Sequence, residues 1–222
     1  MRVATLLDFD GVLVDSEPVH LAAFNDVLSS FGLCISPSEY EEHYLSLDDA
    51  GVFRQVFERG GRAIHRQEVL ALVAAKSPRF MARFEDAFRV FPGAPELIRR
   101  RRLRGPVAIV SGALEREIAF ALERMEVRDQ VDFIVDAEAS TASKPDPAPF
   151  RLACETLRKL GHDGPTIAVE DSMGGVVSAK GAGLRCVAVT HSYSAQRLLE
   201  AGADGIVADL FALTDELLEG DV

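Results

Sequence analysis

The sequence predicts an α/β fold, a parallel sheet wound with helices and interrupted close to its start by an all-helical insertion. Three observations carry this. A short apolar run from Val3 to Leu7 ends abruptly in Asp8-Phe9-Asp10, which reads as a buried parallel strand delivering two carboxylates to its carboxyl end. From Phe91-Pro92-Gly93 onward, short β-rich runs alternate with helical segments, the pattern of a sheet wound with helices. Between them, from about Ser16 to Phe88, every periodic stretch is helical and none reads as a strand.

Each element has its own signals. Gly11 follows the first strand and permits a turn or a close approach that a Cβ would block. Ser16 can cap a helix that Pro18 helps to start, and Phe24, Val27, Leu28 and Phe31 then give it one apolar face. Ser36-Pro37-Ser38-Glu39 reads as a capping box opening a second helix. Val52, Phe53, Val56 and Phe57 mark a third, ended by Gly60-Gly61. A fourth helical region runs from about His65 to Phe88 with Pro78 as a point of interruption; Val69, Leu70 and Val73 are followed by Phe80, Phe84 and Phe88.

Beyond Gly93, strands are predicted at Val107–Val110, Phe133–Val135, Thr166–Val169, Cys186–Val189 and Gly205–Val207. Ile118, Ala119, Leu122 and Met125 form one helical face between them, and Phe150, Ala153, Leu157 and Leu160 another. Arg99 to Arg102, with Arg104, close the helix that starts near Ala94, where cations complement the helix dipole, and read as a solvated helix end.

A chain of 222 residues can bury a substantial core and carry an insertion. Its formal net charge of -11 argues against nonspecific nucleic-acid binding and against attraction to anionic membranes. An anionic substrate must therefore be held by local cations. Cys34, Cys154 and Cys186 are odd in number and outside any Cys-x-x-Cys pattern, which reads as reduced thiols. No apolar run approaches a membrane span, and Met1-Arg2 lead straight into the first strand without room for a signal peptide. A cytoplasmic protein is expected, with a monomer as the default.

Later strand ends complement the first. Val107 to Val110 ends in Ser111-Gly112, and Thr166 to Val169 ends in Glu170-Asp171-Ser172 before Gly174-Gly175 and a helix; between them lies Ser143-Lys144-Pro145-Asp146-Pro147. All would project from the same edge of a parallel sheet, the edge where open α/β sheets bind ligands. Two unit charges about 4 Å apart repel by roughly 4 kcal/mol at an effective dielectric near 20, so Asp8, Asp10, Glu170 and Asp171 need a counter-ion to share a pocket as carboxylates. All-oxygen ligation suits magnesium, which commonly adds phosphate oxygens of a substrate. With Lys144 and the Ser111 hydroxyl, such a site would surround a phosphoryl group with positive charge and donors.

An aspartate there can act as nucleophile and form an aspartyl-phosphate, while a second carboxyl protonates the leaving oxygen and then activates water. General acid–base action alone supplies about 10² to 10⁴ in rate, whereas phosphate-monoester hydrolysis can require up to about 10²¹. Covalent catalysis, positioning and electrostatic stabilisation must all contribute.

Asp8-Phe9-Asp10-Gly11-Val12, Ser111 after an apolar strand, Lys144-Pro145, and Glu170-Asp171 before a glycine-rich turn resemble, in order, the four motifs of the haloacid dehalogenase (HAD) superfamily. The helical block is similar to the α-helical cap of the branch containing phosphoglycolate phosphatases and β-phosphoglucomutases. The resemblance implies a Rossmann-like (HAD-like) core at 1–15 and 89–222 and an inserted all-α cap at 16–88. It implies Asp8 as nucleophile and metal ligand, and Asp10 as general acid and base that also binds metal through its backbone carbonyl. Ser111 would hydrogen-bond the phosphoryl group, and Lys144 would neutralise it and orient Asp8. Asp171 and Glu170 would hold Mg2+, and Gly11, Val12 and Gly112 would line the phosphate. Asp15 and Ser16 would shape the hinge into the cap, where Glu17, His20, Tyr44, Leu47, Arg54 and Lys76 are the candidates for contacting substrate.

Within that superfamily the second aspartate, Asp10, argues for phosphoryl transfer rather than dehalogenation. A sugar phosphomutase, which must hold a bisphosphorylated intermediate, is similar to this chain at His20 and Lys76. The segment Leu45-Ser46-Leu47-Asp48-Asp49 is acidic where a mutase needs cations, and Gly112-Ala113-Leu114-Glu115 lacks the lysine and asparagine of mutases. The expectation is therefore a magnesium-dependent phosphatase acting on a small phosphorylated metabolite, with the mutase second. A non-catalytic phospho-switch is the remote alternative, since response-regulator receivers share an acidic pair, a hydroxyl and a lysine but are shorter and uncapped.

Overall fold

The computed structural model describes residues 2–45 and 47–220; Met1, Ser46 of the acidic segment, Asp221 and Val222 lie outside the described residues. The chain divides into two compact units, one running up to Asp15 and resuming at Val90, the other Ser16–Arg89. The second boundary falls one residue after the expected 88/89 break. There Val90 bridges to Val14, and the Phe91 N–H donates to the Leu13 carbonyl at 3.0 Å, tying the returning chain to the outgoing one.

The α/β unit holds six parallel strands: β1 (Ala4–Leu7), β2 (Val107–Val110), β3 (Phe133–Val135), β4 (Thr166–Glu170), β5 (Arg185–Val189) and β6 (Gly205–Val207). Their order is β3-β2-β1-β4-β5-β6, so the expected parallel sheet is borne out and β1 lies at its centre. Thr5 faces Val107 on one side and Ile167 on the other, and every residue of β1 is buried. Such burial on both faces explains why the strand reads as a continuous apolar run. The strand order reverses between β1 and β4, the position at which doubly wound sheets open a crevice at their carboxyl edge. Two strands are longer than expected: β4 includes Glu170 and β5 begins at Arg185.

The helical unit contains α1 (Glu17–Leu28), α2 (Pro37–Glu39), α3 (Asp49–Arg59) and α4 (Arg66–Asp86). Phe24, Leu28, Val52, Phe53, Phe57 and Val69 belong to one buried cluster. The Ser36 capping box forms as expected: its hydroxyl accepts from the Glu39 N–H at 3.3 Å, and Glu39 accepts from the Ser36 N–H at 2.9 Å. Four local readings need correction. Ser16 precedes α1 in helical rather than extended backbone, and its side chain makes no cap hydrogen bond. Phe31 falls in a terminal 3-10 turn and is partly exposed, and Leu70 points outward at 55% exposure. Pro78 lies inside a continuous α4, where the Arg79 guanidinium donates to the Ala75 carbonyl at 2.6 Å in the turn beside the missing N–H.

Six more helices flank the sheet: α5 (Ala94–Arg104), α6 (Glu115–Arg124), α7 (Ala148–Lys159), α8 (Met173–Gly181), α9 (Ala195–Glu200) and α10 (Asp215–Glu219). The arginine run closing α5 is not simply a solvated end. Arg101 is fully buried, donating from Nε to the Thr5 hydroxyl at 2.9 Å and from Nη1 to Asp215 at 2.9 Å and Glu219 at 2.7 Å. The final helix thus supplies carboxylates to a guanidinium that could not otherwise be buried. Hydrogen bonds from Arg104 and then Arg101 hold the Glu219 carboxyl at about 2 against the opposing effect of burial. Among the described residues no helix is long and apolar enough to cross a membrane.

Candidate active site

The central strand delivers the first functional group. The Asp8 N–H still belongs to the sheet, donating to the Val169 carbonyl at 3.0 Å, while its carboxylate stands just past the end of β1. On the neighbouring strand β4 ends in Glu170, fully buried, with Asp171 directly after it. Asp8, Glu170 and Asp171 each place a carboxylate oxygen within 4.8 Å of the others.

Lys144 binds this group together from the loop between β3 and α7. Its ammonium donates to Asp8 Oδ1 and Glu170 Oε1, both at 2.5 Å, and to the Val110 carbonyl at the end of β2 at 2.8 Å. Three donors meet three acceptors from three adjacent strands, so the cation is fully used and its position over-determined. Burial would lower the Lys144 pKa, but the charges of Asp8 and Glu170 outweigh it and hold the ammonium above its ordinary value. Burial pushes the Glu170 pKa up, with Lys144 opposing the rise and Asp8 adding to it.

Ser111 follows β2 directly. It is buried, and its hydroxyl accepts from the Ala113 N–H at 3.0 Å while its proton stays available to donate. Gly112 beside it is exposed, and a Cβ there would meet nothing within 4 Å, so its expected phosphate contact rests on backbone alone.

Gly11 departs from expectation. Its N–H, expected to face phosphate, donates to the Val14 carbonyl at 2.9 Å and closes a turn in which Asp10 bridges to Val14. The glycine is required for another reason: φ is 77°, and a Cβ would fall 1.9 Å from Asp171 Oδ2 and 2.8 Å from the Ser192 hydroxyl. Val12 is fully buried, and the half-buried Asp10 lies outside the three-carboxylate group.

Two residues of this edge escaped the sequence reading. Beyond β5, Ser192 donates its hydroxyl to Asp171 Oδ2, and His191 Nδ1 lies 2.8 Å from the Gly11 carbonyl with its ring stacked on Phe91. The signal available was their position just past a β-rich run, shared with Asp8, Ser111 and Asp171.

The remaining candidates belong to the helical unit. Lys76 is buried; its ammonium donates to Asp49 at 2.5 Å, lies 2.7 Å from His20 Nδ1 and sits 4.2 Å from the centre of the Phe24 ring. Burial, and then the neighbouring Lys76 charge, hold His20 well below its ordinary pKa and so keep it neutral. Glu17 accepts from the Tyr40 hydroxyl at 2.8 Å. Tyr44 is buried and Leu47 partly exposed, while the exposed Arg54 turns back on its own helix, donating to the Ala50 carbonyl at 3.2 Å.

The donor set suits a metal. Asp8, Glu170 and Asp171 offer only hard carboxylate oxygens, and one lysine cannot neutralise three such charges. Space is kept open beside them by glycine, since a Cβ on Gly175 would fall 1.9 Å from the Glu170 carboxylate.

Comparison with known proteins agrees with this arrangement. Residues 5–189 match the family described as haloacid dehalogenase-like hydrolase. Hexitol phosphatase B of Escherichia coli (strain K12) is 31% identical, over 84% of this chain and 83% of its own. The phosphoglycolate phosphatase of Mesorhizobium japonicum is 28% identical, over 98% of this chain and 96% of its own. The crystal structure of CbbY from Rhodobacter sphaeroides in complex with phosphate has a TM-score of 0.80 and 28% identity, covering 99% of this chain and 100% of that one. The matched span runs from β1 to the end of β5 and so contains all four motifs; the chain belongs to the haloacid dehalogenase-like hydrolases and is an enzyme of that family.

Proposed function

We propose that this enzyme is a magnesium-dependent phosphatase that hydrolyses a small phosphate monoester through an aspartyl-phosphate on Asp8. The observation that carries the reading is the Lys144 ammonium bridging Asp8 and Glu170 at 2.5 Å each, beside Asp171. With Oδ1 held by Lys144, Asp8 is fixed in orientation and keeps Oδ2 to attack phosphorus. As that bond forms, the bond from phosphorus to the leaving alcohol oxygen breaks, and Asp10 supplies the proton. Asp10, now a carboxylate, takes a proton from the water that attacks the aspartyl-phosphate, releasing inorganic phosphate and restoring Asp8. Ser111 hydrogen-bonds the phosphoryl oxygens during both steps, and Lys144, its three donors held by Asp8, Glu170 and Val110, contributes its positive charge beside them. Magnesium held by Asp8, Glu170, Asp171 and the Asp10 carbonyl would supply the remaining positive charge.

Relatives named as hexitol and phosphoglycolate phosphatases support a small phosphorylated metabolite as substrate. We assign substrate selection to the helical unit as a cap, because the chain enters it directly from the catalytic strand. Hydrolysis is favoured over mutase chemistry because Lys76, the cation a mutase would need for a distal phosphate, is engaged by Asp49 and His20. Neither nucleic acid nor a membrane is a partner in this reading, and the protein acts as a monomer in the cytoplasm.

The test is a phosphate-release panel of sugar phosphates, polyol phosphates, phosphoglycolate and nucleotides, with and without magnesium. Asp8→Asn should abolish turnover of the best substrate and leave the fold intact; turnover at the parent rate would exclude the covalent mechanism. Formation of a sugar 6-phosphate from the 1-phosphate would instead establish the mutase.

A further inference from the structure

The catalytic groups occupy the carboxyl edge of the sheet, but the α/β unit carries a cavity of about 700 Å³ at the opposite edge. Thr166 and Arg185, the first residues of β4 and β5, line it, together with Arg158 near the end of α7 and Lys180 near the end of α8. Its size falls within the roughly 300–1,000 Å³ usual for small-molecule sites. The strand from Thr166 to Glu170, at about 3.3 Å per residue, separates it from the catalytic carboxylates by roughly 13 Å.

The cavity has cationic groups with unused capacity. Lys180 and Asp204 cancel, since the ammonium donates to both carboxylate oxygens at 2.8 and 2.7 Å. One of those oxygens also accepts from the Cys186 N–H at 2.7 Å, so Asp204 has little left to offer Arg185. Arg185 spends Nη2 on the neutral Leu217 carbonyl at 3.0 Å, while its buried Nε has no hydrogen-bond partner. A buried N–H without an acceptor is costly; Nε is closed to solvent, so the donor that Arg185 can offer a ligand is Nη1, which makes no hydrogen bond among the described residues. The Arg158 guanidinium makes no hydrogen bond or ion pair among the described residues. The lining carries Arg158, Lys180 and Arg185 against Asp163 and Asp204, an excess of one positive charge in a chain of net charge -11.

The rest of the lining restricts the ligand. Leu157 and Leu184 give an apolar wall, and Asp163 brings a carboxylate that would repel a compact multivalent anion but accept from hydroxyls. We propose that this cavity is a second ligand site, taking a small hydroxylated anion whose carboxylate or phosphate head lies against Arg158 and Arg185 and whose hydroxyls face Asp163. Guanidinium recognition of either head uses the same paired geometry. The site is independent of the phosphatase reading, because none of its residues touches the catalytic group.

The test follows the arginine Nε–Hε resonance of Arg185, assigned by its loss in Arg185→Lys, in the full-length protein in EDTA. Gluconate, glucose 6-phosphate and neutral glucose are titrated separately into the millimolar range. A saturable shift with gluconate assigns a carboxylate head and one with glucose 6-phosphate a phosphate head; either supports the site. Arg158→Gln, an exposed substitution, should weaken that binding about tenfold and leave phosphate release unchanged. No saturable shift with either anion, an equal response to glucose, or undiminished affinity in Arg158→Gln would each overturn the proposal.

Discussion

Gly11 and Asp171 approach so closely that a β-carbon on the glycine would fall 1.9 Å from Asp171 Oδ2. The turn after β1 is therefore shaped around a carboxylate from the end of β4, and Ser192 holds that carboxylate from the other side. Gly11→Ala must displace Asp171 as well as strain a backbone at φ 77°, the latter alone costing about 1–2 kcal/mol. The expected result is a loss of stability of at least that size and a rise of about 10- to 100-fold in the magnesium concentration needed for activity. Magnesium titration of phosphate release would show it, and an unchanged midpoint would separate Asp171 from the metal.

Ser192→Ala removes the hydroxyl that holds Asp171 without adding bulk. A weaker form of the same magnesium defect is expected, with KM for substrate little changed, and Ser192→Thr should restore most of the affinity. A defect in substrate KM alone would place Ser192 outside the metal site.

Lys144 is the counter-ion that allows Asp8 and Glu170 to be buried side by side. In Lys144→Met both carboxylates lose it, and removing one partner of a buried pair costs about 3–5 kcal/mol. Urea unfolding should reveal that loss in EDTA, and added magnesium should recover part of it by binding only the folded state. Turnover should stay lost in either buffer. Parent-like unfolding in EDTA would deny Lys144 this role.

At the far side of the α/β unit, Arg101 and Arg104 hold Glu219 at about 2, below the ordinary 4.5. A depressed folded-state pKa stabilises the fold above the unfolded value, and that contribution is lost as pH falls from about 4.5 towards 2. Glu219→Gln should lower stability at neutral pH by about 1–3 kcal/mol, the range for hydrogen bonds to charged groups. The difference from the parent should shrink through the same acid window. Chemical denaturation across pH would measure both.

In the helical unit, His20 is kept neutral beside Lys76, with its pKa well below 6.5. For a base this depression has no effect where both states are neutral and costs stability as pH drops below about 6.5, where the unfolded chain takes up the proton first. His20→Phe should flatten that acid-side slope while keeping the ring stack on Phe80. Thermal melts from pH 7 downward would decide; an unchanged slope would mean that His20 takes up its proton alike in the folded and unfolded chains.

The candidate site was legible because Asp8, Ser111, Glu170 and Asp171 lie at or beside strand ends, which a parallel sheet sends to one edge, and because Lys144 stands alone as a cation in a proline-stiffened loop before α7. What escaped depended on contacts distant in sequence. Arg101 looks like any other residue of an arginine run until Thr5, Asp215 and Glu219 surround it. Lys76 reads as a substrate contact, yet it is buried against Asp49, His20 and Phe24. Gly11 was identified for the freedom of its backbone, and only the close approach of Asp171 shows which atom demands that freedom.

By itself the sequence determined the kind and order of elements, the family, and the residue types that end each central strand, because periodicity and strand-end chemistry are local properties of the chain. Tertiary structure alone decided which of those groups meet. The order β3-β2-β1-β4-β5-β6 sets β1 between β2 and β4, so Lys144 reaches Asp8 across 136 positions of sequence and Glu170 across 26. The same order places Ser192 on Asp171 and gives the opposite edge its cavity between α7, α8 and the starts of β4 and β5. Pairings of that kind arise from packing several strands and helices at once, which no local window of residues contains.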